Sequence, residues 1–187
     1  EYMCHEAGIC VTAVPGPAAC VTALTISGLP TRRFAFEAFL PSDKKEREYV
    51  LQSLEREMRT IVLYEAPHRL TKTLKLLEDR LGGERSVSVC RELTKRHETV
   101  YRATLSEAAE YYESHEPKGE CVIVVEGMSR ETAEREEKEK WSDMTIEDHM
   151  GYYLSQGLER KEAMKRTAKD RGISKRDVYR YLEKLKN

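Results

Sequence analysis

Short apolar runs of strand length alternate with helix-length segments along most of this chain. The runs predict buried strands at residues 10–14, 34–39, 60–64, 86–90 and 120–125. Between them, spaced apolar residues predict helices at 17–27, 44–58, 68–81 and 105–112. This order is typical of an α/β domain with flanking helices. We expect much of its sheet to be parallel.

Composition excludes several classes of protein. The chain has 187 residues, of which 40% are hydrophobic, so it can bury a core and is not disordered throughout. No run approaches the ~20 apolar residues of a membrane-spanning helix. The start has neither the basic nor the apolar region of a signal peptide. Five cysteines without zinc or redox spacing fit reduced thiols, and we expect a cytoplasmic protein without a metal site.

The character of the chain changes after Gly127. Residues 129–148 hold 4 basic and 8 acidic residues, a composition typical of a solvated helix or a flexible linker. The rest is helical in pattern, and Gly157 and Gly172 divide it into three short helices. Two units follow from this pattern: an α/β body and a small helical tail.

The tail is the one strongly basic region, although the net charge of the whole chain is only -1. Residues 159–187 carry 11 basic and 5 acidic side chains, and two predicted helices flank a short glycine turn. This spacing indicates a helix-turn-helix unit, with Ser174 as an N-cap partnered by Asp177. The apolar stripe of its last helix comprises Val178, Tyr181, Leu182 and Leu185. The cationic side chains left for phosphates include Lys175, Arg176 and Arg180. A packing module without nucleic-acid contact is the alternative.

Two segments combine a strand end with a helix start. Val14–Ala19, V-P-G-P-A-A, forms a rigid turn where a ligand can approach the backbone, or else only a tight connection. In T-I-V-L-Y-E-A-P-H-R, Glu65, His68 and Arg69 follow a strand, where open α/β sheets bind ligands. In the structural alternative, Glu65 pairs with Arg69 and His68 caps a helix.

A third segment, C-R-E-L-T-K-R-H-E at 90–98, gathers six ionisable side chains directly after a strand. Such a cluster is costly to bury, so it faces solvent or a polar ligand. Its cations suit phosphates, and its carboxylates and imidazole suit acid–base work. A fourth segment, K-G-E-C-V-I-V-V-E-G at 118–127, is mostly core, but Gly119 permits close approach of a ligand.

Together these motifs resemble the ribosomal RNA small-subunit methyltransferase I family, a branch of the tetrapyrrole methylase superfamily. The matching stretches are V-P-G-P-A-A, S-G-L-P-T, F-x-F-x-x-F-L-P, Y-E-A-P-H-R, R-E-L-T-K-R-H-E, G-E-x-V-I-V-V-E-G and the C-terminal I-S-K-R-D-V-Y. They cover nearly the whole chain except the acidic segment. Two departures are visible: Ala18 replaces a common serine, which puts a hydroxyl contact there in doubt, and Ala38 replaces a glycine, which we expect to affect packing only.

The resemblance implies transfer of a methyl group from S-adenosylmethionine to a cytidine ribose 2′-hydroxyl of small-subunit ribosomal RNA. It implies two α/β domains with the cofactor in their cleft, and the C-terminal one is expected to have a mixed sheet with flanking helices. The family's P-I-G-N-L start and S-D-A-G-T-P loop are not found in this sequence. We therefore expect the end of an N-terminal domain at 1–31, a C-terminal α/β domain at 32–128, a charged linker at 129–144 and a helical domain at 145–187. The expected protein is a homodimer that acts on the ribosomal subunit, and this chain alone is expected to be inactive.

Site roles follow from the strand ends and the resemblance together. Cofactor binding is assigned to Val14, Pro15, Gly16, Tyr64, Glu65, Gly119, Glu120 and Cys121. RNA binding is assigned to His68, Arg69, Arg91, Lys175, Arg176 and Arg180. The catalytic, proton-handling role is assigned to Glu92, Lys95, His97 and Glu98. The general base stays open, with Lys95 and Glu98 as the leading candidates.

Two other functions fit parts of the pattern. A small-molecule tetrapyrrole methyltransferase has the same expected fold, but it does not need the charged cluster at 90–98 or the basic tail. A non-enzymatic helix-turn-helix protein that binds nucleic acid fits the layout, but it does not need ionisable groups at three strand ends.

Overall fold

The computed structural model describes residues 2–184 and divides the chain into two compact units after Gly127. Leu185, part of the predicted apolar stripe, lies outside the described residues. The strands of the first unit are β1 (Phe34–Phe39), β2 (Thr60–Glu65), β3 (Ser86–Arg91), β4 (Thr99–Thr104) and β5 (Cys121–Val125). Its helices are α1 (Tyr2–Glu6), α2 (Ala19–Ser27), α3 (Lys44–Glu55), α4 (Leu70–Leu81, after a 3-10 turn at Pro67–Arg69) and α5 (Leu105–Ser114).

The five strands form one sheet in the order β1-β2-β5-β3-β4. Only the β1–β2 pair is parallel, and the other three pairs are antiparallel. The mixed sheet that the resemblance implies is therefore confirmed, whereas the expectation that much of the sheet is parallel is wrong. Strand β4 follows β3 after a short loop, which joins antiparallel neighbours, and β5 inserts between β2 and β3 in the opposite direction.

Helices cover both faces of the sheet, and the alternation of side chains along each strand decides which residues each helix layer buries. Ile61, Leu63, Val87, Val89 and Ile123 face the layer of α3, α4 and α5. Val62, Cys90, Val122 and Val124 face Ala23 and Leu24 of α2. The α/β class with flanking helices is thus confirmed.

Two predictions at the strand level are wrong. Residues 10–14 form no strand, and Val14 is 89% exposed. An apolar run becomes a strand only where another strand offers hydrogen bonds, and the sheet ends at β1 and β4. The reverse error concerns β4, whose sequence T-V-Y-R-A-T is too polar to stand out as an apolar run. An edge strand with one face exposed to solvent has polar residues among its apolar ones, so it shows no continuous apolar run.

Strand β1 contains an irregularity at Ala38. The register against β2 shifts between Phe36 and Ala38, and Ala38 has a φ of 51°. That conformation is left-handed and costs any residue with a Cβ atom about 1–2 kcal/mol. The replacement of the family's glycine therefore affects the backbone as well as packing, which corrects the expectation from the sequence.

Ala38→Gly is expected to raise the free energy of unfolding of the first unit by about 1 kcal/mol, because it relieves the left-handed strain. Urea unfolding followed by circular dichroism measures the change. Ala35→Gly is the matched control, since Ala35 lies in the same strand without a positive φ. We expect this control to lose stability. Equal losses in both variants would contradict the strain at Ala38.

The second unit consists of the helices α6 (Arg130–Ser142), α7 (Ile146–Ser155), α8 (Arg160–Asp170) and α9 (Lys175–Lys184). The predicted division at Gly157 and Gly172 is confirmed, and both glycines have a positive φ. The N-cap at Ser174 is also confirmed: its Oγ accepts a hydrogen bond from Asp177 N at 3.1 Å. The core contains Met150, Ala163, Met164, Ala168 and Val178.

The acidic segment is a helix that takes part in the second unit. Trp141 of α6 is buried, and its ring stacks on His149 of α7 with centroids 3.7 Å apart. Of the alternatives for this segment, the structure shows the helix. Among the described residues, no helix is long and apolar enough to cross a membrane.

His149 is fully buried in the second unit. Its Nδ1 accepts a hydrogen bond from Arg171 Nε at 3.1 Å, and its Nε2 lies 3.3 Å from Asp170 Oδ2. Burial, with a smaller contribution from Arg171, lowers the pKa of His149 below 6.5. At neutral pH the folded unit therefore holds the imidazole neutral, and its Nδ1 accepts the hydrogen bond from Arg171.

Acidification is expected to destabilise the second unit, because the unfolded chain takes up a proton at His149 before the folded unit does. The stabilisation is complete above pH 6.5 and is lost as the pH falls from there through the lowered pKa. Urea unfolding monitored by Trp141, the single tryptophan, measures it at about pH 7.5 and about pH 5.5. His149→Gln should remove most of this difference. A wild-type unit equally stable at both pH values would contradict the account.

Candidate active site

One edge of the sheet collects the ends of all five strands. The parallel strands β1 and β2 end there with β3, and β4 and β5 begin there, because β5 runs antiparallel to β2 and β3, and β4 runs antiparallel to β3. In the ladders, Cys121 pairs with Glu65 on one side and with Arg91 on the other, and Arg91 pairs with Thr99. The structure thus brings the Y-E-A-P-H-R, R-E-L-T-K-R-H-E and G-E-C segments together at this edge, which we call the site edge.

Glu65 lies beneath the site edge with its side chain fully buried. Its Oε1 accepts a hydrogen bond from Ala66 N at 2.8 Å and lies 3.4 Å from Arg69 Nε. Its Oε2 accepts from Thr73 Oγ1 at 2.6 Å. The pairing with Arg69 is the one that the sequence left as the structural alternative, with Thr73 as an added partner. The His68 cap of that alternative is not seen, since Ala66 and Arg69 occupy the N-cap positions of the 3-10 turn and of α4. A buried carboxylate needs such partners, so Glu65 fixes the turn that leaves β2.

The loop between β3 and β4 presents a carboxylate–ammonium cluster. Lys95 Nζ lies 3.1 Å from Glu92 Oε1 and 3.8 Å from Glu120 Oε2. The Glu92 N–H donates to Glu120 O at 3.2 Å. Gly119 has a φ of 78°, and a Cβ atom there would lie 2.0 Å from Glu92 Oε1. Gly119 is therefore needed both for its conformation and for the close approach of Glu92.

Electrostatics assign charges to this cluster. The hydrogen bond from Lys95 lowers the pKa of Glu92, and the same bond raises the pKa of Lys95. At neutral pH the pair is thus a carboxylate and an ammonium. An ammonium with a raised pKa can stabilise negative charge but is a poor proton acceptor. Of the two leading candidates for the base, this arrangement favours Glu98 over Lys95.

The loop is held in a strained conformation. Glu92 and Thr94 have φ values of 50° and 63°, in the left-handed region. Glu98 Oε2 accepts a hydrogen bond from Thr94 N at 2.7 Å, which ties the loop together. The side chains of Lys95, His97 and Glu98 are exposed. Strain of this kind persists where the surroundings fix the backbone, and it is frequent at functional sites.

Tyr64 links the site edge to helix α2. Its hydroxyl accepts a hydrogen bond from Cys20 N at 3.2 Å, so it satisfies an N–H group of the first turn of α2. Burial raises the pKa of this hydroxyl. The rings of Phe36 and Phe39 lie 5.0 and 5.7 Å from that of Tyr64 and are 45% and 56% exposed. Sequence reasoning missed these two aromatics, although the F-x-F-x-x-F spacing was a signal for them.

The structure does not bring every predicted cofactor residue into this cluster. Val14, Pro15 and Gly16 lie in the exposed segment before α2, outside any helix or strand. Ala18 occupies the N-cap position of α2 without a side-chain hydrogen bond. The Cys121 side chain packs into the core, and burial raises the pKa of its thiol to about 11. At Cys121, therefore, only the backbone is placed at the site edge.

The residues assigned to RNA fall into two groups. His68 and Arg69 are in the turn after β2, where Arg69 Nη2 donates to Leu40 O at 3.4 Å, and Arg91 ends β3. Lys175, Arg176 and Arg180 lie exposed on α9 in the second unit. There, Arg180 Nη2 is 3.6 Å from Asp177 Oδ1. The first group belongs to the site edge and the second to the helical unit.

Solved structures with the same fold are methyltransferases. The methyltransferase CobJ aligns with a TM-score of 0.50 and 20% identity, over 66% of this chain and 53% of its own. The cobalamin biosynthetic enzyme cobalt precorrin-4 methyltransferase, CbiF, aligns with a TM-score of 0.51 and 16% identity, over 67% and 55%. At these identities the likeness establishes the fold alone, over about two thirds of this chain.

A sequence model of the Tetrapyrrole (Corrin/Porphyrin) Methylases matches residues 1–109, more than half of the chain. The chain therefore belongs to the tetrapyrrole methylase family.

Within the curated proteins, the chain is similar to those named ribosomal RNA small subunit methyltransferase I, and the resemblance that the motifs indicate is confirmed. The relative from Synechocystis sp. is 43% identical over 176 residues, which cover 94% of this chain and 61% of the relative. The relative from Bacillus subtilis is 41% identical over 169 residues, covering 90% and 57%. That from Halalkalibacterium halodurans is 44% identical over 176 residues, covering 92% and 58%. The chain thus spans about three-fifths of the length of these relatives.

Proposed function

We propose that this chain is part of an enzyme that methylates the ribose 2′-hydroxyl of a cytidine in small-subunit ribosomal RNA, with S-adenosylmethionine as methyl donor. The observation that carries the proposal is the Glu92–Lys95–Glu120 cluster at the site edge, 3.1 and 3.8 Å apart, in a chain with relatives named for this RNA. A tetrapyrrole has no ribose hydroxyl to activate, so this cluster favours the RNA substrate.

The chemistry of the site edge fits the methyl donor. Exposed rings at Phe36 and Phe39 offer apolar faces for an adenine, and the exposed carboxylate of Glu120 suits the ammonium group of the methyl donor. Tyr64, Gly119 and Glu120 are the residues we assign to holding it. When bound, S-adenosylmethionine supplies an activated methyl group that needs no metal.

The chain's own residues then have to place and deprotonate the hydroxyl. A ribose hydroxyl is a poor nucleophile at neutral pH, so a cation beside it and a base to take its proton both accelerate attack. We assign the cation to Lys95, which is held as an ammonium by Glu92. Glu98 takes the proton, with His97 as the second candidate.

At the site edge, we assign RNA binding to His68, Arg69 and Arg91. In the second unit, we assign it to the exposed basic side chains of α9, which are Lys175, Arg176 and Arg180. Guanidinium and ammonium groups on one helix face hold phosphates without reading sequence. We further propose that the enzyme acts in the cytoplasm, as a homodimer, on the ribosomal subunit.

The substrate class is tested with a chimaera in which this chain replaces the matching part of the Synechocystis relative. Tritiated S-adenosylmethionine is supplied with small ribosomal subunits in one reaction and with a porphyrinoid precursor in another. We expect label in the RNA and none in the porphyrinoid. Label in the porphyrinoid alone would overturn the proposal.

A further inference from the structure

A groove of about 360 Å³ opens beside the site edge, between β4 and the end of α5. Tyr101 of β4 lines one wall, and Tyr111 of α5 and His115, which follows α5, line the other. Arg91, the last residue of β3, also lines it. The assigned cofactor and catalytic residues lie outside this groove, but Arg91 is common to both places.

Three rings in the groove form a continuous stack. The rings of Tyr101 and Tyr111 are 4.3 Å apart at 17°, and those of Tyr111 and His115 are 4.0 Å apart at 5°. His115 Nδ1 lies 2.9 Å from Tyr111 O, which fixes the imidazole. Tyr111 is 36% exposed, and His115, at one end of the stack, is exposed as well, so a base can stack on that end. We call this stack the aromatic platform. Because it is already ordered, a ligand that stacks on it loses little entropy of the protein.

Arg91 adds an oriented cation to the aromatic platform. Its Nε donates to Thr99 Oγ1 at 3.1 Å and its Nη1 to Lys118 O at 3.3 Å. These bonds use two of the five N–H groups of a guanidinium and fix its plane. A guanidinium held in this way is suited to a phosphate.

We infer that the groove binds an unpaired nucleotide of the RNA substrate, with its base on the aromatic platform and its phosphate on Arg91. The inference rests on the proposed function, because RNA is the ligand that combines flat rings with phosphates. Aromatic faces accept any base, so the groove positions the strand without selecting its sequence. Since Arg91 pairs with Cys121 in the sheet, a nucleotide in the groove lies next to the site edge.

Binding of a fluorescently labelled, single-stranded RNA of about ten nucleotides tests the inference, with an abasic strand of the same length as a second probe. Tyr101→Leu and Tyr111→Leu should each weaken binding of the base-containing strand about tenfold. Binding of the abasic strand should not change. Tyr49→Leu is the matched control, since Tyr49 is a 75% exposed tyrosine on α3. His115→Ala removes an exposed ring of the same platform and replaces a tyrosine variant that fails to fold. It should likewise weaken binding of the base-containing strand and leave binding of the abasic strand unchanged.

Equal affinity of the groove variants and wild type for the base-containing strand would overturn the inference. So would a wild-type chain that binds both strands equally or neither. Methyl transfer by the chimaera distinguishes this failure from failure of the proposed function. If RNA is methylated while the groove variants bind normally, only the groove assignment is lost. If the groove variants lose binding but the chimaera never methylates RNA, the groove assignment is supported and the proposed reaction is wrong.

Discussion

Replacing Glu65 by alanine is expected to lower the free energy of unfolding of the first unit by about 2–4 kcal/mol. The substitution leaves two donors, Ala66 N and Thr73 Oγ1, without their acceptor at a fully buried position. Each buried donor left unpaired costs about 1–3 kcal/mol. The ion pair with Arg69 adds little, because a third of the Arg69 side chain is exposed.

Urea-dependent labelling of Cys90 measures this change, because Cys90 is buried in the first unit and its thiol reacts only on unfolding. Glu120→Ala is the matched control. It removes a carboxylate that is 91% exposed at the same sheet edge, and we expect a change below about 0.5 kcal/mol. A loss of less than about 1 kcal/mol in Glu65→Ala would show that the buried network contributes little.

Lys95→Met is expected to lower kcat of the chimaera by about 100-fold or more, with KM for S-adenosylmethionine nearly unchanged. The substitution keeps the length of the side chain but removes the charge to which we assign stabilisation of the developing alkoxide. Lys95→Arg keeps the charge and should retain most of the activity. A single donor to a developing oxyanion is worth about this much in other enzymes.

The control for Lys95 is Lys44→Met, an exposed lysine at the start of α3. This variant loses the same charge at a position far along the chain from the charged loop. Its kcat should stay within about twofold of the wild-type value. Initial rates of multiple-turnover methyl transfer to ribosomal subunits, over a series of S-adenosylmethionine concentrations, give both kcat and KM. A Lys95→Met enzyme with near wild-type kcat would remove Lys95 from the reaction.

Periodicity was sufficient to predict four of the five helices described in the first unit, α1 being missed, and four of its five strands. Periodicity failed for a strand with only one buried face and for an apolar segment that is not buried at all. Strand β4 exposes Arg102 on an edge strand, so its run of apolar residues is broken. Residues 10–14 have the apolar pattern of a strand but no strand to pair with in the sheet. Local periodicity also could not predict which strands run antiparallel. The position of β5 between β2 and β3 depends on contacts between residues that are distant in sequence.

The candidate site was predictable as three separate segments rather than as one arrangement. That charged residues follow strand ends is visible in the sequence, and the sheet brings those ends to one edge. The sequence does not distinguish the roles of similar side chains. Glu65 and Glu92 both follow a strand, yet one is buried beneath the edge and the other pairs with Lys95 at its surface. Burial decides this difference, and it depends on packing of the whole unit.

The position of the methyl group on the RNA tests the central claim most directly. Small-subunit RNA methylated by the chimaera is digested to nucleosides, which are separated and identified by mass spectrometry. We assign the ammonium of Lys95 and the carboxylate of Glu98 to activation of a ribose hydroxyl, and the family resemblance implies a cytidine, so we predict 2′-O-methylcytidine as the labelled product. A methyl group on a base, with the ribose unmodified, would contradict the account.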